Sequence, residues 1–155
     1  QHQQSESKNG FQRSYVRLGD VLFYQNYISN QFCDGRSVVE TILQLEAGAV
    51  TPETLPLMEC LQFDGKLYGM GNRRLTCYHY VFRNDPDRRI PVMLKDVSGE
   101  SYFLCQGNGV EVAVGGGLVL PGGRILFTMK SSDMSKAKVF NGPPPTNTFE
   151  LQHQY

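Results

Sequence analysis

Apolar positions alternate and cluster over residues 15–24 (Tyr15, Val16, Leu18, Val21, Leu22, Phe23), which predicts a strand after a polar lead-in. Residues 26–36 are polar and end in Asp34-Gly35, a turn signal, so they read as a loop. Ser37-Val38-Val39-Glu40 has the form of a capping box, in which the Ser hydroxyl and the Glu carboxylate satisfy each other's backbone amides. Val38, Val39, Ile42, Leu43 and Leu45 then line a short helix that stops at Gly48. Residues 51–56 connect it to a strand at 57–63, an Asp64-Gly65 hairpin turn and a returning strand at 66–70. From Asn72 to about Arg83 the period becomes helical, with Leu75, Tyr78 and Phe82 on one side. Asn84-Asp85-Pro86-Asp87 ends that helix, and residues 90–94 form another strand. Beyond Asp96 come short β segments punctuated by Gly107-Asn108-Gly109, Gly115-Gly116-Gly117 and Pro121-Gly122-Gly123, all read as turns.

This order predicts the α+β class: a small mixed sheet with two main helices, plus a C-terminal β-rich extension from about residue 97. The 155 residues suffice for one domain with a proper core, placed at 11–140. Residues 1–10 and 141–155, the latter containing Pro143-Pro144-Pro145, are expected to be flexible tails. With 40% hydrophobic and 19% charged residues the chain reads as globular, and no apolar run approaches the roughly 20 residues that cross a bilayer. Residues 1–10 lack the apolar core of a signal peptide, and the absence of an initiator Met fits a processed chain, cytoplasmic or secreted.

Cys33, Cys60, Cys77 and Cys105 are far apart and form no CxxC pair, which disfavours zinc ribbons and thioredoxin-like chemistry. Four cysteines allow two disulfides in three pairings, or four thiols packed as small hydrophobes, the reading preferred here because each has apolar neighbours.

The 15 basic and 15 acidic residues cancel, but unevenly. Residues 34–64 carry six acidic side chains and one basic, whereas residues 66–95 carry seven basic and two acidic. A basic segment in a neutral chain fits a phosphate-bearing ligand. It equally fits complementarity between an acidic first helix and a basic second one.

The most specific segment is Asp64-Gly65-Lys66-Leu67-Tyr68-Gly69-Met70-Gly71-Asn72-Arg73-Arg74-Leu75. A strand runs into glycine and a helix begins at once, with Asn72 as the expected N-cap. A helix start presents unpaired N–H groups and the positive end of the dipole. Gly69 and Gly71 remove bulk where a phosphate would approach the backbone. Arg73 and Arg74 add bidentate donors, at a point where two positive charges disfavour the isolated helix unless something negative binds. A protein carboxylate is the structural alternative.

This order resembles the ParB/sulfiredoxin fold family in Ser37 to Ala47, Leu57 to Phe63, Asp64-Gly65-Lys66-Leu67-Tyr68, Gly71-Asn72-Arg73-Arg74 and Ile90-Pro91-Val92, over roughly residues 17–96. Within that family it is most similar to ParB-like domains of polymorphic toxins, through Phe23-Tyr24-Gln25, Phe32-Cys33-Asp34-Gly35-Arg36 and Gly71-Asn72-Arg73-Arg74-Leu75, where Gly71 stands in place of the usual Asp. Chromosome-partitioning members have Glu at the position of Asn72 and a following helix-turn-helix domain, and no helix-turn-helix pattern follows in this sequence. Sulfiredoxins carry a catalytic Cys in the turn, where this chain has none. The resemblance therefore implies a toxin-like or defence-like nuclease, cutting RNA ahead of DNA. Arg73 and Arg74 would hold the phosphate, Gly71, Asn72 and the helix start would complete the oxyanion site, and Asp34, Arg36 or His79 would move protons. The alternative is a non-catalytic module that binds a nucleotide or other phospholigand. The implied partner is nucleic acid or a nucleotide phosphate.

Tyr78-His79-Tyr80 is aromatic enough to stack on a base, and His79 could act as acid or base; packing between two tyrosines is the structural alternative. Asp85 and Asp87 more commonly end a helix than bind metal. A divalent ion, Mg or Mn, is the one cofactor left open.

Overall fold

The computed structural model describes residues 10–100 and 105–133. Asp64 and Gly65 both have positive φ, 51° and 77°, the backbone that turns two right-twisted strands back on each other in two residues. They join β4 (Met58–Phe63) to β5 (Lys66–Gly69), with Phe63 opposite Lys66 and Cys60 opposite Gly69. The capping box also forms: Ser37 Oγ accepts the Glu40 N–H and Glu40 Oε1 accepts the Ser37 N–H, both at 3.0 Å. It starts helix α1 (Val38–Glu46), which buries Val38, Ile42 and Leu45 along one stripe.

Strands β1 (Gln12–Arg17), β2 (Val21–Phe23) and β6 (Arg89–Asp96) complete a five-stranded mixed sheet in the order β1-β6-β4-β5-β2. β6 runs parallel to β4, and between them the chain passes through β5 and helix α2 (Asn72–Val81). β3 (Tyr27–Ser29), β7 (Glu111–Val119) and β8 (Ile125–Lys130) form a second, three-stranded sheet. Val38 and Ile42 of α1, Leu75 and Tyr78 of α2, Phe23, Ile90 and Val92 of the first sheet and Val112, Val114 and Leu118 of the second belong to one hydrophobic core. The class is α+β, as expected. Among the described residues no helix is long and apolar enough to cross a membrane.

Three expectations are corrected. The strand expected at 15–24 is broken by a 3-10 turn, Leu18–Asp20, because the Leu18 and Gly19 amides turn away to the Arg88 and Pro86 carbonyls at 2.8 Å each. The expected loop 26–36 contains β3, whose partner β7 lies more than 80 residues downstream and left no local signal. The glycine run 115–117 is not a turn but the interior of β7, where its register with β8 shifts between Ala113 and Leu118. A Cβ on Gly115 would collide with the Tyr27 hydroxyl, so the missing side chain is what lets the Tyr27 ring lie against the sheet. The turn at Pro121-Gly122-Gly123 does connect β7 to β8. Of the expected tails, residues 1–9 and 141–155 lie outside the described residues, as do residues 134–140 of the expected domain.

Candidate functional site

The hairpin β4–β5 delivers the chain to Gly71, the N-cap of α2. No side chain caps this helix and its first turn holds no acidic residue, and its first residues line a cleft of about 440 Å³. Gly71, Asn72, Arg73 and Arg74 form one wall. Phe32, Gln25, Met70 and residues 56–59, including Glu59, form the rest. Neither Arg73 nor Arg74 makes an ion pair among the described residues. Arg74 Nη1 donates to the Pro56 carbonyl, and Arg73 Nη2 lies 3.5 Å from the exposed Cys33 Sγ. These contacts orient the two guanidiniums without neutralising them.

Asn72 does a different job from the one expected. It is the first helical residue rather than the cap, and it is 3% exposed. Its Oδ1 accepts the Tyr24 N–H at 2.9 Å and the Gln25 N–H at 3.2 Å, and its Nδ2 donates to the Met70 carbonyl at 3.1 Å. These bonds tie the segment after β2 to the start of α2. Gly69 is also a packing residue: a Cβ there would press on Leu75 at 3.0 Å, Val21 at 3.1 Å and Met58 at 3.2 Å. Gly71 does line the cleft.

Asp34 and Arg36 sit in a tight loop closed by the Gln31–Ser37 bridge and by Phe32 N–H to the Arg36 carbonyl at 2.8 Å. Asp34 accepts the Arg36 amide at 3.0 Å and its Nε at 2.9 Å, and these bonds hold the carboxyl below the ordinary aspartate value. Asp34 is thus an ionised, exposed carboxylate bound to Arg36. The same loop places Phe32 in the cleft and Cys33 against Arg73, so it does fold back to the helix start.

His79 is not brought to this cleft. It is 1% exposed, packed against Phe23 with ring centres 5.2 Å apart. Its Nδ1 accepts the Ser132 N–H at 2.9 Å, which leaves Nε2–H to donate to the Val21 carbonyl at 2.9 Å. Burial pushes its pKa down to about 4, so it is a neutral structural ring rather than a proton shuttle at this site.

Sequence reasoning missed the opposite wall: Gln25, Pro56, Leu57, Met58 and Glu59 meet the helix start only once the chain is folded. The four cysteines are free, with Cys60 and Cys77 buried. Among the described residues no three His, Cys, Asp or Glu side chains cluster as metal ligands. No family model matches this chain, and no curated protein and no solved structure matches it either.

Proposed function

We propose that this chain is a phospholigand-binding domain of ParB/sulfiredoxin-like type, with a phosphate group held by the amides of the first turn of α2 and by Arg73 and Arg74. One observation carries the reading: two adjacent arginines stand at an uncapped helix start beside a cleft, and no carboxylate among the described residues pairs with either. Both the helix dipole and the two like charges favour an anion there. Phe32, Met58 and Met70 offer an apolar wall for the rest of a nucleotide-sized ligand. The test is a calorimetric titration of the full chain with nucleoside mono- and triphosphates, in which saturable binding that Arg73→Ala abolishes supports the reading. Absence of binding to every phosphate ligand would end it.

A second reading, phosphodiester cleavage by a toxin-like ribonuclease, is favoured by the Arg73–Cys33 contact, which brings the Asp34 loop to the helix start. Asp34 would then be the base, and a divalent ion would supply further charge stabilisation. Incubation with RNA and DNA, with and without chelator, separates the two: cleavage lost in Asp34→Asn but not in His79→Gln favours the enzyme.

A further inference from the structure

The opposite end of α2 carries a second concentration of positive charge that the first cleft does not use. A cleft of about 290 Å³ is lined there by Tyr80 and Arg83 from the helix end, by Arg124 before β8, and by Lys130 at the end of β8. Tyr80 organises both arginines. The Arg83 guanidinium carbon lies 4.3 Å from the Tyr80 ring centre, and Arg83 Nη1 donates to the Tyr80 carbonyl at 2.7 Å. Arg124 Nη2 donates to the Tyr80 hydroxyl at 3.0 Å.

Each guanidinium has five N–H groups, and each spends one on Tyr80, so both forks keep donors for a ligand. Among the described residues none of Arg83, Arg124 and Lys130 is in an ion pair, including Lys130 with Glu111, its register partner across β7–β8. Arg83 alone would be explained by the carbonyl end of the helix, which favours a cation. Arg124 and Lys130 come from another element and have no such reason to converge. Three like charges around one cleft repel unless an anion fills it, and arginines already held by a ring lose little freedom when it does.

We propose that this cleft is a second anion site, taking the phosphate group of a phosphate ester and working independently of the one at Gly71–Arg74. Planar guanidinium forks suit phosphate oxygens, and Lys130 adds a point charge.

The probe is inorganic pyrophosphate, added at constant ionic strength to the ¹⁵N-labelled full chain and followed by amide NMR. Saturable shifts at residues 124 and 130–132 are expected, persisting in an Arg73→Ala/Arg74→Ala variant. Arg83→Gln/Arg124→Gln should weaken binding at these amides about tenfold or more and leave the shifts at residues 72–74 intact. Lys130→Ala, whose side chain supports no other described contact, gives the same readout with weaker effect should the double variant not fold. The proposal is overturned if only residues 72–74 respond, if sodium chloride alone moves the same amides, or if Lys130→Ala and the arginine variant both bind as well as wild type. In the first case the proposed function stands without it.

Discussion

His79 Nδ1 accepts the Ser132 backbone N–H at 2.9 Å, so an imidazole on α2 fixes the chain just beyond β8. The other nitrogen donates to Val21 on β2, and the ring therefore joins α2 to the first sheet and to the segment that follows β8. Protonation would remove the Nδ1 lone pair that Ser132 uses. The pKa is about 4 in the folded chain against an ordinary 6.5. Between these values only the unfolded chain takes up the proton. The stabilisation is thus complete above pH 6.5 and is lost as pH falls toward 4, an effect on the order of 3 kcal/mol. Urea unfolding at pH 7 and pH 4.5 should show this loss in wild type and a flatter dependence in His79→Gln. An equal slope in the variant would assign the pH dependence to other groups.

At the helix start, Arg73→Ala and Arg74→Ala should each weaken phosphate-ligand binding by about tenfold or more, as expected for one charge-assisted contact of about 1.5–3 kcal/mol. Thermal stability should hold or rise slightly, because the paired charges repel at the positive end of the dipole. Lysine should rescue only in part, since an ammonium lacks the planar fork. A fall in melting temperature with unchanged binding would make these arginines scaffold.

Asn72→Ala should behave in the opposite way. It leaves two backbone amides and one carbonyl of a part-buried cluster without partners, at about 1–3 kcal/mol for each group that water does not reach. A large drop in the urea midpoint is expected, with ligand affinity changed only as far as the helix start loosens. A normal midpoint with lost affinity would return Asn72 to the ligand.

The thiols should separate kinetically. Cys33 is exposed, whereas burial pushes Cys60 and Cys77 up to about 12. A thiol reagent at neutral pH should label Cys33 first and reach Cys60 and Cys77 only on unfolding. A saturating phosphate ligand should slow labelling of Cys33, because Arg73 lies against its sulfur. Labelling of Cys33 that ignores the ligand would detach this loop from the site.

Local signals were legible wherever a few neighbouring residues decide the backbone. Asp64-Gly65 forms its turn because both residues adopt positive φ, and Ser37 and Glu40 cap α1 through bonds three residues apart. The Asn72 side chain was misread because the amides it accepts belong to Tyr24 and Gln25, 48 and 47 residues away. His79 was misplaced for the same reason, with Val21 and Ser132 at 58 and 53 residues. The arginine pair at the helix start was readable, while the wall facing it needed the folded chain.

The three residues of β3 run parallel to β7, Ile28 beside Val114, with both helices and three strands of the first sheet, β4, β5 and β6, between them in sequence. A parallel pair cannot close through a hairpin, so nothing local holds Ile28 in place until residues 113–115 exist. A chain emerging during synthesis can form the β4–β5 hairpin, α2 and β6 while β3 still waits for a partner. Its folding should therefore be slow for its size, with the late step the docking of β7 onto β3. Over that interval the Tyr27-Ile28-Ser29 edge is open to other strands, which makes this short segment the point where crowding or a released fragment would divert the chain into aggregation.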